Sequence, residues 1–506
     1  MSGARRVPGA GFAHGEATIA ALQSAMAGGA LTSRELTAAY LARIRALDRA
    51  GPRLRSVIEL NPDARRLAAE LDRERAASGP RGPLHGIPVL LKDNIATGDR
   101  MATSAGSLAL ANVAATRDAH LVERLRGAGA LILGKTNLSE WANIRSTRSA
   151  SGWSARGGLT RNPYALDRSA SGSSSGSAAA IAANLAAVAV GTETDGSIVS
   201  PASVCGLVGL KPTVGLVSRD GVIPISHTQD TAGPMTRTVA DAALLLAALA
   251  GADARDPATA RAPALELDAA PRPERLRGAR LGVVRANIEA AHPGVAAVTE
   301  RALAALAAHG AVLVDPVELD WPAHAGDCEL EVLLHELRAE LPRWLGEFAP
   351  HAPVATLAEL IDWNERHRDS ELPWFGQECF ERAQRRPLDE APYRAALAAA
   401  RRAAREAGID AALAAHRLDA LVAPTGDPAW RSDLVNGDHY GASFSGPAAV
   451  AGYPHLTVPA GAVHGLPVGL SFVGAAWSDA LLLDLGEGFE RATRARRAPT
   501  FAPTLP

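Results

Sequence analysis

Of the 52 basic residues in this chain only three are lysines, Lys92, Lys135 and Lys211, and all fall within one stretch. A bias toward arginine codons would leave lysines scattered rather than gathered. Arginine keeps its proton in a protein, whereas a desolvated lysine can release one, so this usage points to a position that needs a titratable amine. Lys92 is the candidate, because the apolar run Ile87-Pro88-Val89-Leu90-Leu91 ends on it and a strand would deliver it there. The plain alternative is an ion pair with Asp93 or another carboxylate, since lysine is seldom buried without a partner.

Two serine-bearing turns accompany the lysine. Ser171-Gly172-Ser173-Ser174-Ser175-Gly176-Ser177 has the composition of a flexible linker, but it runs straight into Ala178-Ala179-Ala180-Ile181 and a strong helical pattern. A Gly/Ser turn at a helix start aims free N–H groups outward. It lacks the Lys-Ser/Thr ending of a phosphate loop, which disfavours nucleotide binding. The second turn, Gly191-Thr192-Glu193-Thr194-Asp195-Gly196-Ser197, follows an apolar strand. A sharp loop with Gly before Ser can expose the hydroxyl and converge backbone N–H groups on one point. Acyl transfer requires that pairing of nucleophile and oxyanion donors. A loop serine alone is more often a turn former; the lysine is what favours chemistry.

The elements that must position these residues follow from periodicity. Residues 16–27 read as a helix closed by Gly28 and Gly29, Thr32 and Glu35 form a capping-box spacing for a second helix to about Leu47, and a third lies near 62–78. From 85 to about 250, apolar runs at 87–91, 130–134 and 187–191 alternate with helical patterns near 119–129 and 177–186. That alternation predicts an α/β fold with a mixed, largely parallel twisted sheet covered by helices on both faces. Runs at 280–284 and 311–315 flank a helix near 293–309, and the proline- and charge-rich 257–277 reads as an exposed connection. Residues 325–415 read as mostly helical, and strand-like segments return at 420–424, 455–460 and 469–474 before a last helix near 478–493. The whole, 1–506, is read as a single domain: N-terminal helices over 16–80, a catalytic core over 85–250 and a helical variable region over 325–415.

Composition narrows the class of protein. A chain that is 47% hydrophobic and 21% charged has an ordinary globular balance, and its net charge of −2 gives no reason to expect nucleic acid as partner. Cys205, Cys328 and Cys379 are odd in number and lack metal-type spacing, so neither a disulfide framework nor a metal site is expected, and Cys205 reads as a small buried residue. No run is apolar and long enough for a membrane span, and the arginines of the N-terminus precede no apolar stretch of a secretory signal. A soluble protein is expected, either cytoplasmic or exported.

Taken together, these segments resemble the amidase signature family. The resemblance rests on Gly86-Ile87-Pro88-Val89-Leu90-Leu91-Lys92, GKTNLSEWAN (134–143), the serine-rich turn, TETDGS, GLKPTVGLVS (209–218), DTAGPMTRTVADAA (230–243), AGYPHLTVPAG (451–461) and GLPVGLSFVG (465–474). The serines at 173 and 197 are 24 positions apart, the spacing that such enzymes have. The resemblance implies a sheet-centred α/β/α domain that hydrolyses carboxamides without a cofactor or metal. It also implies Ser197 as nucleophile, Ser173 as a bridging serine on a cis peptide bond, and Lys92 as base. The backbone N–H groups of Thr194, Asp195 and Gly196 would hold the oxyanion. Neither His85 nor His227 has the surroundings of a hydrolase elbow, and Lys135 and Lys211 read as buried donors.

Within the family, Ile198-Val199 stands where an Ile-Arg pair is usual, and Asp195 stands where glycine is common. With SGWSARGG (151–158), these departures resemble the peptide amidases, which release ammonia from C-terminally amidated peptides. The alternatives are an amidase for small aryl or alkyl amides, and the amidase-like subunit of a tRNA-dependent amidotransferase with partner subunits. A non-catalytic binding protein on the same fold is disfavoured by the intact Lys/Ser/Ser set. No obligatory protein partner is expected, and Trp363, Trp374 and Phe375 could wall a peptide groove or simply pack the core.

Overall fold

The computed structural model describes residues 12–263, 270–322 and 324–505. Each apolar run named above becomes a strand. In chain order the strands begin with β1 (Val57–Leu60), β2 (Pro88–Lys92), β3 (Leu131–Thr136), β4 (Trp153–Ser154) and β5 (Gly158–Leu159). They continue with β6 (Val188–Glu193), β7 (Val208–Lys211), β8 (Thr231–Thr236), β9 (Arg280–Val283) and β10 (Val312–Val314). The last are β11 (Ala420–Pro424), β12 (His455–Val463) and β13 (Leu466–Val473). Eleven of them form one sheet in the order β1-β3-β2-β6-β8-β7-β12-β13-β11-β9-β10, while β4 and β5 pair apart.

The sheet is mixed. β3, β2 and β6 run parallel to one another, as do β10, β9 and β11, and the strands between these blocks pair antiparallel. Every residue of β2, β3, β6, β7 and β8 is buried, so both faces of this half are covered. The helix Ser175–Ala182 is buried along its whole length and packs on β1, β2, β3, β6 and β8. Its alanines and serines let it approach the sheet closely, which draws the serine-rich turn down onto the ends of β2 and β6.

The N-terminal helices are Ile19–Ala27, Ser33–Ile44 and Ala64–Ser78. Thr32 and Glu35 form the capping box reciprocally, and Gly29 takes a φ of +73° just past the first helix. The 325–415 region holds the helices His324–Phe348, Leu357–Arg366, Arg368–Glu371, Glu378–Arg385, Glu390–Ala404 and Asp410–His416. The connection 257–277 forms short 3-10 turns at Pro257–Arg261 and Pro273–Leu276, and its residues 264–269 lie outside the described ones. Sequence periodicity did not pick out β1, β7 or β8. β8 carries Gly233 and Pro234, poor strand formers, and is held by pairing with β6 on one side and β7 on the other.

Among the described residues no helix is long and apolar enough to cross a membrane.

Candidate active site

β2 ends at Lys92 and its parallel neighbour β6 ends at Glu193, so a buried amine and the Gly191–Ser197 loop meet at the same edge of the sheet. Lys92 has no exposed surface. Its Nζ donates to Ser173 Oγ at 2.7 Å, to Thr192 Oγ1 at 2.9 Å and to the Thr192 carbonyl at 3.1 Å. Asp93 points elsewhere, to Ser104 and Arg156. The sequence alternative of a Lys92–Asp93 pair is therefore not what the fold builds.

The serine-rich turn is pinned from several sides. The Gly172–Ser173 peptide is cis. The Ser173 carbonyl accepts from Ser139 N at 3.0 Å, and Ser174 N donates to the Ser197 carbonyl at 3.1 Å. Ser174 Oγ donates to the Thr192 carbonyl at 3.0 Å, tying both turns together. A Cβ at Gly172 would lie 2.1 Å from Ser139 Oγ, so a larger residue there would displace the Ser139 hydroxyl from its bond with Gly152 N.

The second turn is shaped by Glu193. Its buried carboxylate accepts from Ile198 N at 2.7 Å and Val199 N at 3.0 Å, which folds the chain back after Ser197. Gly196 takes a φ of +73° against Ser445. Ser197 is 8% exposed, and its Oγ makes no hydrogen bond among the described residues. The N–H groups of Thr194, Asp195, Gly196 and Ser197 likewise find no acceptor there. Unpaired donors beside an unpaired hydroxyl form a cradle for an oxygen that carries charge.

Burial sets the electrostatics. It pulls the Lys92 amine down to about 7, against the opposing pull of the Asp230 and Glu193 carboxylates. Asp230 is itself pushed up to about 6 by burial, while accepting from Thr194 Oγ1 at 2.6 Å and from Ile225 N and Ser226 N at 2.8 Å each. Burial also pushes up Glu193, with Lys211 opposing. Lys135 and Lys211 are drawn down to about 8 by burial. Lys135 donates to the Ile95 carbonyl at 2.7 Å and Thr103 Oγ1 at 2.9 Å, Lys211 to the Pro212 carbonyl at 3.1 Å; both are buried donors, and neither donates to Ser173 or Ser197 among the described residues.

The remaining sequence candidates resolve simply. His85 is buried with Nε2 against the Leu71 carbonyl at 2.9 Å, and His227 is half exposed beside Glu336 and Glu340. Cys205 is buried, and burial pushes its thiol up. Phe375 packs edge-to-face on Trp153 at 5.2 Å, Trp363 stacks on His367 at 3.9 Å, and Trp374 stays exposed. Sequence reasoning did not single out Thr192, Glu193 or Asp230 as parts of the site. Acidic residues inside TETDGS and DTAGPM were the available signal.

The protein family described as Amidase matches residues 35–483, and the chain belongs to that family: it is an amide-hydrolysing enzyme. Among solved structures, it is similar to the native peptide amidase from Stenotrophomonas maltophilia. The two are 53% identical over 97% of this chain and 99% of that one, with a TM-score of 0.91. An amidase family protein from Bacillus anthracis is 36% identical over 96% of this chain and 92% of that one, with a TM-score of 0.88. Among curated relatives, a probable amidase of Arabidopsis thaliana is 39% identical over 97% of this chain and 92% of its own length. One subunit of the glutamyl-tRNA(Gln) amidotransferase of Chloroflexus aurantiacus is 37% identical over 94% of this chain and 96% of its own length.

Proposed function

We propose that the enzyme hydrolyses the C-terminal carboxamide of peptides to a carboxylate and ammonia, through an acyl-enzyme on Ser197. The observation that carries the mechanism is the buried 2.7 Å contact from Lys92 to Ser173, in a site where the Ser197 hydroxyl makes no hydrogen bond among the described residues. The substrate class rests on the likeness to the peptide amidase over nearly the full length of both chains.

The reaction follows from where the protons can go. Neutral Lys92 accepts the proton of Ser173 Oγ as Ser173 accepts that of Ser197 Oγ. The Ser197 oxygen attacks the amide carbon, and the N–H groups of Thr194, Asp195 and Gly196 take up the charge on the carbonyl oxygen. Ser173 gives the proton that it holds to the departing nitrogen and is reprotonated by Lys92. The C–N bond breaks and ammonia leaves. Water then attacks the ester while the same relay removes its proton, and the acid product departs with Ser197 restored.

Glu193 positions the nucleophile by holding the two N–H groups that follow it. The test is ammonia release from a C-terminal peptide amide set beside acetamide. Turnover of the peptide amide is expected. Turnover of acetamide alone refutes the peptide reading, and wild-type activity in Ser197→Ala refutes the mechanism. An amidotransferase-subunit role, suggested by the Chloroflexus relative, would instead require partner subunits and tRNA.

A further inference from the structure

The mechanism leaves unused a cavity of about 900 Å³ whose lining includes none of Lys92, Ser173 and Ser197. It lies behind the 227–230 segment, bounded by the helices His324–Phe348 and Glu390–Ala404 and by the Gly452–Tyr453 turn. Aromatic rings form much of its wall: Trp344, Tyr393, Tyr453 and Trp477.

Its charge is unevenly matched. The carboxylates on the wall are engaged: Asp220 with Arg117 at 2.6 Å, Asp256 with Arg219, Glu347 with Arg117, and Glu340 with Arg343 at 3.5 Å. Asp230 is held by the backbone of residues 225 and 226 and by Thr194. Three guanidinium groups remain. Arg401 and Arg261 have no hydrogen bond or ion pair among the described residues. Among the described residues Arg405 donates only to the Ala451 carbonyl, at 2.8 Å, and lies over the Tyr453 ring. Burial and then the charge of Arg405 depress the Arg401 guanidinium, with Glu336 opposing, so these cations sit close enough to repel. The buried carboxylate behind them, Glu336, is already occupied by Ser226, Thr228 Oγ1 at 3.1 Å and Tyr393 OH at 2.6 Å.

Clustered guanidinium groups with no carboxylate hydrogen-bonded or ion-paired to them among the described residues, set in an aromatic-walled hollow, match an organic molecule ending in an oxyanion. We propose that this cavity is a second ligand site, distinct from the catalytic serine, which binds a small aromatic or apolar carboxylate or phosphate through Arg401 and Arg405. The guanidinium fork supplies paired donors, and the rings cover the apolar body. Asp230 borders both this cavity and the nucleophile loop, so a ligand here would sit one residue away from Thr194.

Calorimetric titration of the full chain with 3-phenylpropionate, phenyl phosphate and neutral 3-phenylpropanol tests the site. At least one anion should bind, more weakly as salt rises, and the alcohol about tenfold more weakly or worse. Arg401→Gln should weaken the anion by about tenfold while ammonia release stays at the wild-type rate. The stronger of the two anions identifies carboxylate or phosphate as the preferred head. Binding of neither anion, equal binding of the alcohol, or anion binding unchanged in Arg401→Gln overturns the proposal. Should Arg401→Gln fail to fold, Leu397→Trp fills the same cavity from the same helix, and undiminished anion binding in that variant overturns it equally.

Discussion

If Lys92 removes the proton of Ser173, the rate must follow the fraction of Lys92 that is neutral. Burial lowers this amine from 10.5 to about 7. At 1.36 kcal/mol per unit, that favours the neutral form by about 5 kcal/mol. At pH 7 roughly half of the enzyme then holds a neutral lysine, against roughly one molecule in three thousand for an exposed one. The assay is kcat/KM for ammonia release between pH 5 and 9. An ascending limb centred near 7 is expected, falling about tenfold per unit below it. Asp230 is the largest charge that opposes the shift, so Asp230→Asn should move the limb to lower pH. A limb centred above 9, a flat profile down to pH 5, or wild-type activity in Lys92→Arg would refute the reasoning.

The same shift has a cost in stability. A lysine with a depressed folded-state pKa binds fewer protons folded than unfolded, so its penalty is absent above 10.5, grows as pH falls, and is complete below about 7. Lys92→Met should therefore abolish activity yet raise the thermal midpoint at pH 6 by a few degrees, with a smaller gain at pH 10. Glu193→Ala leaves the Ile198 and Val199 N–H groups without their acceptor, at about 1–3 kcal/mol for each buried group. Steady-state kinetics should show kcat falling by more than KM rises, because the loop that carries Ser197 loosens. Arg145 and Glu140 form an ion pair with no exposed side-chain surface on either partner, at 2.5 Å. Burial already pushes the Glu140 carboxyl up to about 8 against the pull of Arg145, so in Arg145→Met it takes a proton, and the lost pair should cost about 1–3 kcal/mol in denaturant unfolding.

Legibility from sequence differed by element, and for identifiable reasons. The strands that deliver the site residues, β2 and β6, are dense in Val, Leu and Ala and end in polar loops, so a buried strand is the one arrangement that satisfies them. β8 was invisible because Thr231-Ala232-Gly233-Pro234 has little intrinsic strand preference. It is extended because β6 and β7 offer ladders on either side. The capping box of Thr32 and Glu35 was legible because both partners lie within one turn. The Lys92–Thr192 contacts were not, because they join residues 100 positions apart.

What the sequence by itself determined is the inventory. Arginine nearly everywhere and lysine at three positions pointed to Lys92, two Gly/Ser turns, one opening a helix and one following a strand, marked the serines, and the family resemblance picked out Ser173 and Ser197 among them. That was possible because residue type and local backbone preference are properties of short segments. What the tertiary structure decided is the state of each group. Only the packing of parallel strands excludes water from Lys92 and brings Asp230 and Glu193 near enough to act against that desolvation. Only the turn-to-turn bonds between Ser174, Thr192 and Ser197 set the two serine loops against each other. Desolvation and distance are properties of the whole fold. Lys92 could be named from its scarcity, but its readiness to work at neutral pH comes from everything that surrounds it.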